Sequence, residues 1–328
     1  MTNDSKKYII ESGFAPHRRN GYKMKKIKLG KSEIIVPNIG VGCMRIANLE
    51  TEDIEKFIYT ALSVGLNFFD HADIYGGGES ERKFSEAIKM TPSLREKLII
   101  QSKCGIVSGK MYDFSKEHII SSVNGSLKRL NTDYLDVLLL HRPDMLVEPE
   151  EVAEAFIQLK SEGKVKYFGV SNHKPLQIEL LKKYLPFPII VNQMQLSIAH
   201  AGMITTGINA NIDGCGEDRD GGILDYCRIN DITVQAWSPF QYGFFGGIFI
   251  GNEKFKELNV KLNELSEKYD VTPSAIALSW ILRHPAQIQP IVGTTKPERL
   301  TELSKASEIC LTREEWYSLL LSAGNRLP

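Results

Sequence analysis

Long apolar runs, closely spaced cysteines and an excess of charge of either sign are all missing from this chain of 328 residues. No apolar run approaches the roughly 18 residues needed to cross a bilayer. Arg18 and Arg19 near the N-terminus are followed by no apolar segment, so we expect no secretory signal. Forty basic residues balance forty acidic ones, which argues against a nucleic-acid or membrane-surface partner bound through bulk charge.

The cysteines are odd in number, widely spaced and free of any Cys-x-x-Cys pattern. The five are Cys43, Cys104, Cys215, Cys227 and Cys310. This usage favours a reducing compartment, so we predict a cytoplasmic protein without a disulfide framework.

Short apolar strands alternate with amphipathic helices along most of the chain. Strands are predicted at 39–42, 67–69, 98–101, 134–140, 165–170, 189–192, 232–236 and 288–292. Helices are predicted at 51–64, 80–90, 115–130, 149–162, 175–184, 222–229, 254–269, 273–284 and 296–306, with Thr51 and Thr272 as N-caps. Each strand is apolar on both faces, which is typical of a parallel sheet covered on both sides. Eight such units predict a closed (β/α)8 TIM barrel.

The rival fold is a doubly wound open sheet, which normally carries a glycine-rich phosphate turn after its first strand. Here that strand ends in Gly40 and Gly42 without a third glycine, so we prefer the barrel. An N-terminal β-hairpin with strands at 25–29 and 33–36 precedes the barrel, and extra C-terminal helices, the last starting at Thr312, complete it. Residues 1–23 are predicted to be a poorly ordered arm, and residues 24–328 a single barrel domain.

Polar side chains stand where the predicted strands end. The stretch FFDHADIYGGGE places Asp70 at the end of the second strand and Tyr75 in the glycine turn behind it. Lys103 follows the third strand and His141 the fourth. Taken singly, each has a structural explanation, such as a capping carboxylate or a core histidine. Together they converge on the C-terminal rim of the barrel, where such folds place their active sites and where burial without a ligand is costly.

These four residue types together suit the reduction of a carbonyl group. A phenol has an ordinary pKa of about 10, and a nearby ammonium is expected to lower it. Asp70 would hold Lys103 charged and in place, while Tyr75 protonates the oxygen. His141 would hydrogen-bond the same oxygen. The reaction also needs a hydride donor, and Trp237 offers a surface on which a flat ring can stack.

The chain resembles the aldo-keto reductase family, its bacterial members most of all, over about residues 24–310. The motifs are the D-x-x-x-x-Y of Asp70 and Tyr75, Ser102-Lys103, Leu140-His141, GVSN at 169–172, NQ at 192–193 and VGTTKPERL in the last barrel loop. The resemblance implies an NADPH-dependent oxidoreductase that reduces an aldehyde or ketone. It implies that Tyr75 is the general acid, that Asp70 and Lys103 tune it, and that His141 orients the carbonyl.

The resemblance also implies the cofactor, NADP(H), and the residues that hold it. Ser171, Asn172 and Gln193 would bind the nicotinamide amide, Trp237 would stack on its ring, and Ser238 with the loop behind it would contact the pyrophosphate. The full predicted set is Gly42, Met44, Arg45, Ser171, Asn172, Gln193, Trp237, Ser238, Pro239, Gly293, Thr294, Thr295, Lys296 and Arg299.

Thr294, Lys296 and Arg299 fall where the family binds the adenosine 2′-phosphate. A hydroxyl with two cations suits that dianion, which favours NADPH over NADH. The alternative is that Lys296 and Arg299 form a solvated helix face, but their place in a first helical turn favours an anion. Gly293 stands at the end of the last barrel strand, where the family often has a basic residue. Lys296 is expected to supply the missing positive charge.

Two regions depart from ordinary patterns. Cys104 and Gly105 follow Lys103 where many family members have an aromatic residue, so the resemblance does not define the pocket wall there. The segment 196–221 is long and is expected to border the substrate pocket. Five of its residues have calcium-loop spacing, which we interpret as a turn: Asn209, Asn211, Asp213, Gly214 and Asp220.

Two other functions are compatible with the sequence. A metal-dependent barrel hydrolase would recruit Asp70, His71, Asp73 and His141 as ligands, but it leaves the GVSN, NQ and TTKPER loops unexplained. A non-catalytic NADP-binding subunit that reports redox state would leave the acid, lysine and histidine unused. We therefore predict no metal and a small-molecule carbonyl substrate; neither that substrate nor the oligomeric state follows from the sequence.

Overall fold

The structure is a computed structural model that describes residues 24–210 and 218–327. In chain order its strands are β1 (Lys26–Lys28), β2 (Ile35–Pro37), β3 (Gly40–Gly42), β4 (Phe68–Asp70), β5 (Ile99–Cys104), β6 (Ile106–Val107), β7 (Met111–Tyr112), β8 (Leu135–Leu140), β9 (Val165–Ser171), β10 (Ile189–Gln195), β11 (Thr233–Trp237) and β12 (Gln289–Val292). Eight of them, β3 to β5 and β8 to β12, pair in parallel and close into a barrel. The predicted (β/α)8 barrel is confirmed.

Helices follow the barrel strands and cover its outside. They are α1 (Thr51–Ser63), α2 (Glu79–Ala87), α3 (Pro92–Arg95), α4 (Lys116–Leu130), α5 (Pro149–Ser161), α6 (Pro175–Lys182), α7 (Gly202–Ile208), α8 (Ile223–Ile229), α9 (Lys256–Tyr269), α10 (Pro273–Leu282), α11 (Pro297–Ser304) and α12 (Arg313–Ser322). No helix in the described part of the chain is both long and apolar enough to span a membrane.

The predicted hairpin of β1 and β2 is present, and it closes the N-terminal end of the barrel. Leu29 and Val36 are fully buried there and pack with barrel residues that include Phe68 and Ile190. Gly30 lies so close to the barrel that an added Cβ would come within 2.3 Å of the Ile190 carbonyl oxygen. Because this end is plugged, the opposite end is the open one.

The prediction that every strand is apolar on both faces is wrong. The barrel interior carries a layer of fully or nearly fully buried glutamines: Gln101, Gln193, Gln235 and Gln289. The strand register places Gln193 opposite Gln235, and Gln235 opposite Gln289. Their amides hydrogen-bond to one another, for example Gln235 Nε2 to Gln289 Oε1 at 2.8 Å, so the polar atoms largely satisfy each other.

The structure tests three predicted helix N-caps and the predicted loop 196–221. Thr272 caps α10 and Thr312 forms a capping box with Glu315, as predicted. Thr51 is the first residue of α1, and the N-cap is Glu50, so that prediction is wrong. The loop 196–221 contains a short helix, α7, that was not predicted. Residues 1–23 and part of the calcium-like turn, 211–217, lie outside the described residues.

Candidate active site

A buried carboxylate, ammonium and phenol meet at the open end of the barrel. Asp70 ends β4, Lys103 lies in β5, and Tyr75 begins a 3-10 turn behind β4. Lys103 Nζ donates to both carboxylate oxygens of Asp70 at 2.7 Å and to the Tyr75 hydroxyl oxygen at 3.2 Å. The side chains of Lys103 and Asp70 are 0% and 4% exposed. The predicted pairing of these three residues is therefore present.

The glycines after Tyr75 allow the turn that aims its side chain at Lys103. Gly76, Gly77 and Gly78 have φ values of 60°, 65° and 96°, which residues with a Cβ rarely adopt. At Gly76 an added Cβ would also come within 2.7 Å of the Ala47 Cβ. The chain can therefore reverse directly behind the phenol and enter α2.

Lys103 lowers the pKa of Tyr75 as predicted, but the prediction that this pKa lies below its ordinary value is wrong. Burial is the largest effect and raises the pKa of Tyr75, the charge of Lys103 opposes that rise, and Asp70 adds to it. The phenol is therefore protonated at neutral pH. Burial disfavours the ammonium of Lys103 too, but Asp70 and Tyr75 outweigh it and raise the pKa of Lys103. The pair thus consists of a neutral phenol beside a firmly charged ammonium.

His141 lies beside the phenol as a neutral imidazole. Its ring is edge-on to the Tyr75 ring, with centroids 5.9 Å apart. Burial, and then the charges of Lys103 and Arg142, hold the pKa of His141 well below its ordinary value. A neutral imidazole keeps one N–H donor, so His141 can hydrogen-bond a ligand oxygen next to the Tyr75 hydroxyl.

Asp70 is held in place by two glutamines, a contact that the sequence does not predict. Gln101 Nε2 donates to Asp70 Oδ1 at 2.6 Å, and Gln193 Nε2 donates to the same oxygen at 3.1 Å. Both amides also reach Gln235 Oε1, at 2.8 and 3.0 Å. The carboxylate is therefore fixed by the glutamine layer as well as by Lys103. Gln193, predicted to bind the nicotinamide amide, already donates to Asp70 within the barrel.

The predicted nicotinamide-binding side chains form one hydrogen-bonded chain. Asn172 Nδ2 donates to Ser171 Oγ at 2.7 Å, and the indole N–H of Trp237 donates to Asn172 Oδ1 at 3.1 Å. Asn172 and Ser238 have φ values of 60° and 51°. Such left-handed backbone is uncommon outside glycine and gathers at functional sites. The ends of β9 and β11 therefore present amide and hydroxyl groups beside a half-buried indole, which suits a planar carboxamide.

The residues predicted for the phosphate groups lie at the same end of the barrel, on loops except for Arg299, which lies in the first turn of α11. Arg45 Nη1 donates to the Gly293 carbonyl oxygen at 2.8 Å, which joins the loops after β3 and β12. Thr294 Oγ1 accepts from the Lys296 backbone N–H at 3.1 Å. Within 24–210 and 218–327, the side chains of Lys296 and Arg299 make no ion pair, so this donor set fits a phosphate. Of the others in the set, Gly42 ends β3, and Met44, Pro239 and Thr295 lie on loops.

The metal-hydrolase alternative requires four side chains to converge as ligands: Asp70, His71, Asp73 and His141. Among the described residues, no group of three or more histidines, cysteines or acids is placed to hold a metal ion. The Asp70 oxygens are engaged by Lys103, and the His71 ring packs edge-on against Phe84 with centroids 4.6 Å apart. The geometry therefore does not support that alternative.

His71 makes the stability of the protein sensitive to acid. Burial, and then the charge of Lys103, lower the pKa of His71 to about 3, and neither ring nitrogen has a hydrogen-bond partner in the described structure. A histidine whose pKa is lowered in the folded state contributes stability above its unfolded pKa of about 6.5. This contribution is lost as the pH falls toward the folded pKa.

We predict that the free energy of unfolding of wild type, relative to that of His71→Met, falls by about 2 kcal/mol between pH 7 and pH 5. Urea unfolding of both proteins at several pH values measures this difference. If the free energy of unfolding changed equally with pH in the two proteins, the role of His71 would be contradicted.

Comparison with known proteins shows which family the chain belongs to. The model of the aldo/keto reductase family matches residues 38–319. The chain is 36% identical to the uncharacterized oxidoreductase YcsN of Bacillus subtilis, over 83% of this chain and 88% of the relative. It is 32% identical to the 6-dehydroglucose reductase of Agrobacterium fabrum, over 90% and 97%. A crystal structure of the thermostable aldo-keto reductase Tm1743 with the inhibitor epalrestat superposes with a TM-score of 0.74, at 28% identity, covering 91% of this chain and all of that one.

The fold and the family match define a (β/α)8 barrel oxidoreductase, of a family that generally binds nicotinamide cofactors. With a family match over most of its length, the chain belongs to the aldo/keto reductase family.

Proposed function

We propose that this protein is an NADPH-dependent oxidoreductase that reduces an aldehyde or a ketone to an alcohol, with Tyr75 as the general acid. The observation that carries the proposal is the contact of one buried ammonium, Lys103, with both oxygens of Asp70 and with the Tyr75 hydroxyl. An ammonium buried beside a phenol at a barrel mouth has a clear use in proton transfer.

Each side chain has a defined task in the proposed reaction. Tyr75 donates its proton to the carbonyl oxygen as negative charge develops there. An alkoxide is a far stronger base than a phenolate, so a phenol with a raised pKa still donates. Lys103 stabilises the phenolate that remains, and Asp70 holds Lys103 charged and fixed. His141 donates a hydrogen bond to the same oxygen and sets its direction.

The cofactor-binding residues hold the nicotinamide beside this cluster in the proposed complex. Ser171 and Asn172 bind its amide, Trp237 packs on its ring, and the loops at 238–239 and 293–299 take its phosphates. When bound, the reduced nicotinamide supplies the hydride. Lys296 and Arg299 give the preference for the 2′-phosphate, because the cations at the start of α11 add to the positive end of the helix.

The experiment compares NADPH and NADH oxidation with a panel of aldehydes and ketones. We expect carbonyl-dependent oxidation with NADPH preferred, and a roughly 10- to 100-fold loss of kcat/KM for NADPH in Lys296→Ala/Arg299→Ala. The value for NADH should change much less. Arg313→Ala, at the exposed start of α12, is the matched control and should retain the NADPH preference.

Two results would contradict this proposal. No oxidation of either cofactor with any carbonyl, despite tight NADPH binding, would favour the redox-reporting subunit. An equal loss for NADPH and NADH in the double variant would contradict the assigned 2′-phosphate contacts. We also propose that residues 24–328 act as a single catalytic domain and that the protein is cytoplasmic.

A further inference from the structure

Arg142 is a cation at the active-site mouth that the proposed reaction does not use. It directly follows His141 at the end of β8 and is half buried. Its guanidinium lies over the Trp237 ring, 5.6 Å from the centroid, and over the Phe244 ring at 5.4 Å. It is therefore held between the indole proposed to face the nicotinamide and an aromatic loop on the other side of the opening.

The charge of Arg142 has no acidic partner in the described part of the chain. Within residues 24–210 and 218–327 it makes neither an ion pair nor a hydrogen bond. The nearby Asp144 is committed elsewhere, since its two oxygens accept from the backbone N–H groups of Phe114 and Leu146 at 3.0 and 2.9 Å. Burial lowers the pKa of Arg142, with Tyr112 and Tyr75 only partly opposing.

The surroundings of Arg142 place this unpaired charge in an apolar setting. The Trp237 and Phe244 rings lie against the guanidinium, and the Phe245 ring packs on both, with centroids 6.5 and 4.6 Å away. Apolar walls around one cation weaken competition from water for whatever anion binds there. A guanidinium with free N–H groups matches a carboxylate in a two-pronged contact.

We propose that Arg142 is a specificity-determining residue that selects carbonyl substrates carrying an anionic group, such as a carboxylate. This rests on the proposed function, because the carbonyl must reach Tyr75 and His141 while the anionic group contacts Arg142. The neighbouring Lys103 does not compete for that group, since Asp70 already neutralises it.

The test uses a matched pair of probes, 4-carboxybenzaldehyde and its neutral ester, methyl 4-formylbenzoate. We expect wild type to prefer the carboxylate in kcat/KM, and the ratio of the two values to fall roughly 10- to 100-fold in Arg142→Met. In Arg142→Lys the ratio should lie between those of wild type and Arg142→Met, because lysine keeps the positive charge but cannot make the two-pronged contact of a guanidinium. Lys110→Met removes an exposed charge from the β6–β7 hairpin at this end of the barrel and should leave the ratio near its wild-type value.

A binding measurement separates this proposal from the proposed function. Calorimetric titration of both probes, with and without NADP⁺ and with no reduced cofactor present, should show the same preference in wild type and its loss in Arg142→Met. Preferential binding without turnover of any carbonyl would overturn the reductase and leave the anion site standing. Turnover with equal affinity for the two probes, or a ratio unchanged in Arg142→Met, would overturn the anion site.

Discussion

Replacing Tyr75 by phenylalanine should lower kcat for carbonyl reduction by roughly 10²- to 10⁴-fold, the usual contribution of a positioned general acid. The substitution keeps the ring that packs edge-on to His141 and removes only the hydroxyl that contacts Lys103. The alkoxide then has no phenol to take a proton from. NADPH affinity should persist, because the phosphate loops are untouched. Steady-state turnover and a fluorescence titration with NADPH measure the two quantities.

A second tyrosine provides the matched control for that substitution. Tyr226 on α8 donates its hydroxyl hydrogen bond to Glu179, which lies on α6 and outside the barrel mouth. Tyr226→Phe should therefore turn over at close to the wild-type rate. Equal turnover by wild type and Tyr75→Phe would show that the phenol is not the acid.

Replacing Lys103 by methionine should destabilise the protein and inactivate it together. The substitution leaves the Asp70 carboxylate buried without its cation, which typically costs about 3–5 kcal/mol. Gln101 and Gln193 still donate to one of its oxygens, but amides carry no net charge. Loss of the ammonium also removes the group that stabilises a Tyr75 phenolate. Urea unfolding gives the free energy, and kcat gives the catalytic loss.

Two further variants distinguish the effect of breaking the buried Asp70–Lys103 pair from the effect of losing any lysine. Asp70→Asn/Lys103→Met should recover much of the lost stability, since no charge is left unpaired. Lys116→Met breaks the surface pair with Glu154, whose side chains are 34% and 62% exposed, and should cost no more than about 1 kcal/mol. If Lys103→Met were as mild as Lys116→Met, the buried pair would not have the role assigned to it.

The site could be located from the sequence because a parallel barrel brings its strand ends together. Asp70, Lys103 and His141 each follow an apolar run, and Tyr75 is followed by three glycines that only a sharp turn explains. Eight parallel strands that close into a barrel have their C-terminal ends on one common rim. The topology alone therefore predicts that these four side chains lie close together.

The missed features depend on packing that a linear pattern does not record. Glutamines inside apolar strands look like interruptions until the register sets Gln193 against Gln235. The net direction of the Tyr75 pKa depends on how far burial outweighs one ammonium, and proximity alone does not decide that balance. Arg142 reads as an ordinary loop cation until its place against Trp237 is known.

The most direct measurement is the fate of the hydrogen at C4 of the nicotinamide. NADPH doubly deuterated at C4 would be incubated with the protein and an aldehyde, and the alcohol analysed by mass spectrometry and NMR. We predict one deuterium on the former carbonyl carbon and solvent hydrogen on its oxygen. An alcohol without deuterium at that carbon, or no alcohol from any carbonyl offered, would contradict carbonyl reduction at the Tyr75–Lys103 cluster.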